Sequence, residues 1–201
     1  MPGFVAGSTA RLALDSASCA RVVVALVQIL HEQRDFEGLN AHATMLTKRR
    51  SQSRRVIQAL VRECVKWVDD TPDKATMVKY IETLRTITTG KIFVEVERAR
   101  LTQRLSKLKE EEGQLVKAAE ILQEAAVETY GAMEKREKTA FILEQMRLTL
   151  AVKDFVRCRM VARKVNKKVL GEPALQDLKL RFYDLLNEFH TAVSYTHLTL
   201  P

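Results

Sequence analysis

The feature that most constrains this chain is a turn signal that recurs roughly every 40 residues, within the range of periods that is typical of repeat proteins. Turn-forming residues lie at Asp35, Asp73, Gly113 and Asp154, so the intervals from one turn to the next are 38, 40 and 41. In repeat proteins a unit buries its apolar face only against its neighbours. The spacing therefore favours a stack of similar units.

Each turn is followed by a predicted helix with one apolar stripe. The apolar residues of each stripe stand at offsets of 0, 3, 7 and 10, and the stripes begin at intervals of 41, 38 and 40. These offsets place the side chains on one helical face. A second apolar stripe of helical period precedes each turn, so the unit is helix, turn, helix, repeated about four times. The stripes after the turns are Phe36, Leu39, Ala43 and Leu46; Met77, Tyr80, Leu84 and Ile87; Leu115, Ala118, Leu122 and Ala125; and Phe155, Cys158, Ala162 and Val165.

The residues of the turns fit this arrangement. Asp35, Asp73 and Asp154 are predicted N-caps that accept hydrogen bonds from free N–H groups of the following helix. Gly113 is predicted to adopt the left-handed C-cap conformation. Only 7 glycines, 4 prolines and 6% aromatic residues occur, which is unfavourable for a β-sandwich or barrel. We predict an all-α fold, an α-solenoid of about four TPR-like helix-turn-helix repeats forming a right-handed superhelical arm.

The two ends of the chain differ from the repeat region, which we assign to residues 18–192. Residues 1–17 are small, mixed and weakly periodic, and we expect them to be disordered or poorly ordered. Residues 193–201 are β-prone and resemble a translated adapter sequence, so we expect a non-native tail. The last predicted helix, roughly 175–189, has an apolar stripe with little after it to cover it, from which we expect the natural chain to continue. That stripe is Leu178, Phe182, Leu185 and Phe189.

The sequence contains no recognisable catalytic motif. Phosphate-binding loops of the GxxxxGK or GxGxxG type and GxSxG elbows do not occur. Glu95 and Glu97 lie two apart, so they point to different faces of a helix and do not converge as a catalytic pair. The histidines have no ligand spacing, and we predict helix-surface or partly buried side chains. We therefore predict no enzyme, and no catalytic, cofactor-binding or metal-ligating residue. The histidines are His31, His42, His190 and His197.

The three cysteines, Cys19, Cys64 and Cys158, are too far apart for a zinc site or a disulfide framework. They lie among apolar or helical neighbours, so we predict buried free thiols, which fits a reducing compartment. The apolar run over residues 22–27 is too short to span a bilayer, and we expect no membrane association.

The net charge of +8 is compatible with a nucleic acid or an acidic protein partner. Basic runs occur over residues 48–50, at Arg54 and Arg55, and over residues 163–168. Nucleic-acid binding requires cations on one face with aromatic side chains for stacking, and the first run has no aromatic residue nearby. We therefore favour acidic patches on a protein partner and retain nucleic acid as a distant alternative.

Several strings resemble one known family, the PCI-family subunits of the proteasome regulatory lid. The similarity covers about residues 20–169, and the run over residues 90–150 is specific because helix periodicity does not explain it. The strings are residues 46–52, residues 81–85, GKIFVEVERARLT at 90–102, AAEILQE at 118–124, VETYGAMEK at 127–135 and FILEQMRL at 141–148.

This resemblance implies a non-catalytic scaffold subunit that supports lid assembly and ubiquitin-dependent protein degradation. Residues 18–192 would be the N-terminal helical-repeat arm of a PCI protein, from which the PCI module itself is absent. The implied partners are other lid subunits and the core particle, in a hetero-oligomer of the cytoplasm and nucleus. The homologous PCI subunit of the COP9 signalosome is the close alternative.

Overall fold

The computed structural model describes residues 16–48 and 52–198, with side chains to residue 194. Within these ranges the chain forms nine α-helices and five short 3-10 helices and no strand, which confirms the predicted all-α fold. The α-helices are α1 (Ser16–Glu32), α2 (Phe36–Lys48), α3 (Arg54–Lys66), α4 (Lys74–Thr88), α5 (Glu95–Glu111), α6 (Leu115–Gln123), α7 (Lys135–Ala151), α8 (Phe155–Lys164) and α9 (Gln176–Leu198). The 3-10 helices are Val68–Asp70, Ile92–Val94, Val127–Thr129, Val169–Gly171 and Pro173–Leu175.

Three of the turns share one backbone geometry. A residue of positive φ follows the first helix of each pair: Arg34 at 54°, Gly113 at 76° and Lys153 at 61°. The N–H groups of this residue and the next donate to carbonyls three and five residues earlier, which is the hydrogen-bond pattern of a Schellman C-cap. The predicted cap at Gly113 is confirmed. At Arg34 and Lys153 a residue with a Cβ adopts the same strained conformation.

The predicted aspartate N-caps are also confirmed. The carboxylates of Asp35, Asp73 and Asp154 each accept the backbone N–H three residues further on, at 2.8, 2.9 and 3.0 Å respectively. The turn before Asp73 differs from the others because the 3-10 helix Val68–Asp70 replaces the positive-φ residue. Local side-chain chemistry therefore determines where α2, α4 and α8 begin.

The chain divides into two compact units between Leu101 and Thr102. In the first unit, α1 packs on α3 and α2 packs on α4, so each helix contacts the second one along the chain. The core is mainly aliphatic, with Tyr80 as its largest fully buried side chain. The Tyr80 hydroxyl donates to the carbonyl oxygen of Cys64 at 2.9 Å, so the one polar atom of that ring is satisfied within the core.

In the second unit, α7 lies against α6, α8 and α9. Because it has neighbours on several sides, it buries residues around most of its circumference, including Thr139, Gln145 and Thr149. A helix that is buried all round lacks a single apolar stripe. The apolar stripe predicted to precede the fourth turn consists of Ile142, Met146 and Leu150. It is buried, but it is only part of the buried surface of this helix.

Gln145 is a polar side chain in the middle of this core, with 2% of its surface exposed. Its amide nitrogen donates to the carbonyl of Leu122 at 2.8 Å and to that of Ala125 at 3.0 Å. These carbonyls lie at the C-terminal end of α6, where helical partners run out. Gln145 therefore caps α6 from a neighbouring helix.

The last helix contradicts one expectation. It begins at Gln176 and ends at Leu198, whereas the prediction placed its end near 189. Its apolar stripe is buried against α7, α8 and the short 3-10 helices before it, and Phe182 is 1% exposed. The inference that this stripe lacked a cover was wrong, because the cover comes from preceding elements.

Two further expectations concern the ends. Most of the predicted disordered segment 1–17 lies outside the described residues, but Ser16 and Ala17 already belong to α1. Of the predicted tail 193–201, the backbone to Leu198 is helical and residues 199–201 lie outside the described region. Among the predicted core positions, Leu115 is exposed because it is the first residue of α6.

Candidate functional site

His31 lies in an aromatic cluster of the first unit. Its ring stacks on Trp67, with ring centroids 4.4 Å apart and an interplanar angle of 9°. Phe36 contacts the His31 ring edge-on at 6.0 Å, and Nε2 of His31 lies 3.5 Å from the Asp70 carboxylate. The ring packs the end of α1 against the start of the 3-10 helix Val68–Asp70, so its surroundings are those of a packing residue.

The other histidines lie apart from this cluster. His42 is half-buried on α2, His190 is exposed and contacts the edge of Phe189, and the side chain of His197 lies outside the described region. In the part of the chain that the structure describes, no three His, Cys, Asp or Glu side chains group together as metal ligands. None of the described helices is both long enough and apolar enough to cross a membrane.

The carboxylates of the first unit form polar bridges between helices. Arg62 on α3 donates to Glu97 on α5 at 3.1 Å. Next to it on α3, Glu63 accepts from Gln28 on α1 at 3.3 Å and from Lys66 at 2.7 Å. The hydrogen bond from Lys66 lowers the pKa of Glu63 below its usual range. Both helix-to-helix bridges join residues 35 apart in the chain.

A longer network of this kind crosses the second unit, and we call it the charge ladder: Glu110 on α5, Arg147 and Glu144 on α7, and Arg181 on α9. Arg147 donates to Glu110 at 2.6 Å and to Glu144 at 2.6 and 3.0 Å. Arg181 donates to the second oxygen of Glu144 at 2.6 Å. Acids and cations alternate along the ladder, so one network links three helices.

The ladder strongly favours the charged forms of its members. Burial raises the pKa of Glu144, but hydrogen bonds from Arg147 and Arg181 outweigh this effect and leave the pKa below its ordinary value. The hydrogen bonds to Glu144 and Glu110 raise the pKa of Arg147 further. A general acid or base needs a pKa near the working pH, and Glu144 is shifted the opposite way. Sequence reasoning missed this ladder, because its partners lie 37 residues apart in the chain.

The predicted basic runs have different surroundings. Arg49 and Arg50 lie outside the described residues, whereas Arg54 and Arg55 are exposed at the start of α3. The run over residues 163–168 belongs to a larger basic segment, residues 153–168, which carries seven cations and a single acid. The whole chain has 33 cations and 25 acids, so this segment alone carries most of the excess positive charge.

The cysteines are buried free thiols, as predicted. Burial raises the pKa of Cys64 to about 12, and burial likewise raises the pKa of Cys158. Because the thiolate is the reactive form of cysteine, these two thiols are protonated and inert at neutral pH. Glu110 and Glu144 thus bridge helices, and the two thiols pack within the core.

Comparison with known proteins identifies the family of this chain. A family model described as "PSMD12/CSN4, N-terminal" matches residues 4–196. The 26S proteasome non-ATPase regulatory subunit 12 of Dictyostelium discoideum is 44% identical over 92% of this chain and 42% of its own length. The Arabidopsis thaliana protein named 26S proteasome non-ATPase regulatory subunit 12 homolog A is 43% identical over 84% of this chain and 38% of its own length. The Saccharomyces cerevisiae 26S proteasome regulatory subunit RPN5 is 40% identical over 88% of this chain and 40% of its own length.

The chain spans about two fifths of the length of these curated relatives. A solved crystal structure of BtubC from P. vanneervenii aligns with a TM-score of 0.48 at 13% identity, over 96% of this chain and 85% of its own length. That likeness is too distant to support an argument. The match to the family model and the three identities are sufficient on their own: the chain belongs to the PSMD12/CSN4 N-terminal family, among relatives named as regulatory subunit 12 of the 26S proteasome.

Proposed function

We propose that this chain is a non-catalytic scaffold segment of the proteasome regulatory-particle lid, which supports lid assembly and ubiquitin-dependent protein degradation. The observation that carries the proposal is identity of 40 to 44% with relatives named as proteasome regulatory subunits. Its partners would be other lid subunits and the core particle in a hetero-oligomer of the cytoplasm and nucleus. No nucleic acid, membrane, metal or cofactor has a role in this proposal.

The geometry supports a scaffold. Carboxylates that could have formed a reactive cleft are engaged in bridges between helices, as Glu110 and Glu144 are in the charge ladder. The helices that follow the turns begin at Phe36, Lys74, Leu115 and Phe155, at intervals of 38, 41 and 40. With the shared turn geometry, this spacing supports our proposal of a right-handed α-solenoid arm of TPR-like repeats. Such arms offer extended surfaces to protein partners.

The test is purification of the endogenous protein through an affinity tag, followed by mass spectrometry. We expect proteasome lid and core subunits to co-purify. Phe182→Asp places a charge in the core of the second unit and should abolish co-purification. Leu180→Asp is the matched control on the same helix, because Leu180 is 67% exposed. Co-purification of no proteasome subunit with the unmodified protein would refute the proposal.

The COP9 signalosome is the second candidate, because the matching family model covers the N-terminal regions of both PSMD12 and CSN4. Signalosome subunits in place of proteasome subunits in the same purification would establish it. The distant alternative, nucleic-acid binding, predicts a salt-dependent shift of labelled RNA at physiological ionic strength.

A further inference from the structure

The exposed side of α8 carries a stripe that the fold does not use. Val156, Arg159, Met160 and Arg163 stand at positions i, i+3, i+4 and i+7, which share one helical face. We call these four residues the α8 stripe. Val156 is 73% exposed and Met160 is 53% exposed. The opposite side of α8, with Cys158 and Val161, supplies the buried contacts, so the stripe is not needed to hold the helix in place.

The charges around the stripe are unbalanced. No acidic residue occurs within α8. The cations at its edges are neutralised locally, since Arg157 pairs with Asp154 at 3.3 Å and Lys164 pairs with Glu128 at 2.8 Å. Within residues 16–48 and 52–194, neither arginine of the stripe lies within 4.0 Å of a carboxylate. Two exposed arginines therefore alternate with two exposed apolar side chains on one face.

We infer that the α8 stripe binds an acidic amphipathic helix of a partner protein. The inference rests on the proposed scaffold function, because it gives one surface of the scaffold a partner chemistry. An apolar side chain from the partner would cover Val156 and Met160, as in helix-in-groove recognition. Carboxylates on either side of it would accept bidentate hydrogen bonds from Arg159 and Arg163. The excess charge of the surrounding segment would steer an acidic partner towards this face.

A protein partner fits the stripe better than other polyanions do. Nucleic-acid surfaces combine cations with aromatic side chains on which bases stack, and the stripe offers valine and methionine instead. Binding to an anionic bilayer relies on large apolar side chains such as Trp, Phe and Leu, which the stripe also lacks. Methionine is common on surfaces that adapt to apolar helix faces.

The first test measures direct binding by fluorescence polarisation with designed peptides. The probe is a labelled 14-residue helical peptide with leucine at i, i+3 and i+7 and glutamate at the flanking positions. A peptide with lysine in place of every glutamate is the probe control. The protein variants are R159E/R163E and V156S/M160S. Their matched controls are K107E/K117E, exposed cations of α5 and α6, and V116S/L180S, exposed apolar residues of α6 and α9.

We expect the acidic peptide to bind the unmodified chain in a salt-dependent manner, and the lysine peptide not to bind. R159E/R163E and V156S/M160S should each weaken binding by about tenfold or more, while the control variants bind as the unmodified chain does. Circular dichroism should show unchanged helix content in all variants, since every substituted side chain is exposed. Absence of peptide binding, or equal weakening by the control variants, would overturn the inference.

Rival occupants are tested with the same variants. Binding of poly(U) RNA or of vesicles containing phosphatidylserine that R159E/R163E abolishes, without peptide binding, would assign the stripe to a different ligand. Self-association that V156S/M160S abolishes in sedimentation would assign it to a second copy of the chain. Either result overturns the inference. The co-purification experiment addresses the proposed function independently, so the two failures are distinguishable.

Discussion

Arg147 is the central cation of the charge ladder, and its removal gives the sharpest test of the forces that hold the second unit together. Arg147→Met keeps an unbranched side chain but removes every hydrogen-bond donor. Glu110 then loses its ladder partner, and Glu144 retains only Arg181. We expect the substitution to destabilise the second unit without changing its helix content, because Arg147 is only half-buried and lies at the edge of the core.

The expected loss of stability follows from the hydrogen bonds that Arg147 makes. Arg147 donates three hydrogen bonds of 2.6 to 3.0 Å to two carboxylates. A hydrogen bond to a charged group contributes about 1.5–3 kcal/mol, and an exposed ion pair about 0–1 kcal/mol. The side chains of Arg147 and Glu144 are 34% and 24% exposed, which places this network between those limits. We expect Arg147→Met to lower the free energy of unfolding by about 1–2 kcal/mol.

The loss of stability should depend on pH, and the pKa of Glu144 determines the direction of this dependence. Its pKa in the folded protein is lowered, so it contributes stability above its unfolded-state pKa, and this contribution is lost as pH falls through the folded pKa. In the Arg147→Met variant, only Arg181 opposes the effect of burial on Glu144. The pKa of Glu144 therefore rises, and its contribution to stability decreases. The difference between variant and unmodified protein should therefore be largest near neutral pH and decrease below about pH 4.

The assay is urea unfolding at pH 7.5 and pH 3.5, followed by far-UV circular dichroism. Trp67 is the only tryptophan of the chain and belongs to the first unit, so its fluorescence is an internal reference. Lys135→Met is the control, because Lys135 and its partner Glu172 are more exposed, and it should cost less than about 0.5 kcal/mol. A loss for Arg147→Met as small as the control, or equal at both pH values, would refute the reasoning.

Three other predictions concern caps and turns. Gln145→Leu should lower the free energy of unfolding by about 2–4 kcal/mol, since two buried carbonyls lose their donor, and hydrogen exchange of α6 should accelerate; unchanged exchange would contradict this role. Lys153→Gly should stabilise the chain by up to about 1 kcal/mol and Gly113→Ala should destabilise it by a similar amount, because both positions have positive φ. Thermal unfolding shows the direction of each change, and two shifts of the unfolding temperature in the same direction would contradict this explanation. Asp73→Ala should lower the midpoint of urea unfolding through loss of the N-cap of α4. Asp73→Asn keeps an acceptor and should lower that midpoint less.

Features determined by neighbouring residues could be predicted from the sequence. The N-caps at Asp35, Asp73 and Asp154 depend only on a short acceptor side chain before a helix, and all three were identified correctly. The left-handed turn at Gly113 was identified because glycine marks such positions. The left-handed conformation of Arg34 and Lys153 was not predicted, since neither residue type favours positive φ. It accompanies the same Schellman hydrogen bonds that form at Gly113.

Features that depend on contacts between residues distant in the chain could not be predicted from neighbouring residues. Gln145 interrupts an apolar pattern, and its role becomes clear only when the end of α6 lies beside it. The cover of Phe182 comes from helices that precede α9 in the chain, and the residues that follow its apolar stripe do not indicate this contact. The charge ladder was missed for a related reason, since its members show no local pattern that distinguishes them from a solvated helix face.

The spacing of the turns nevertheless contains a signal for such bridges. The pairs Gln28–Glu63 and Arg62–Glu97 are each 35 residues apart, and Glu110–Arg147 and Glu144–Arg181 are each 37 apart. These separations are close to the turn-to-turn distance because the partners lie on helices two apart in the chain. Complementary polar or charged side chains at that separation therefore predict such bridges from the sequence.

Pairing with a carboxylate on another helix distinguishes structural cations from cations that are available to a partner. Arg62, Arg147 and Arg181 each pair with a carboxylate on another helix, and so does Lys164, with Glu128 thirty-six residues earlier. Arg159 lies on the same helix as Lys164, yet among the described residues no carboxylate comes within 4.0 Å of it. Its neighbours on the α8 stripe are exposed and apolar. A cation without a bridge, beside exposed Val156 and Met160, is the combination that a docking surface for an acidic helix requires.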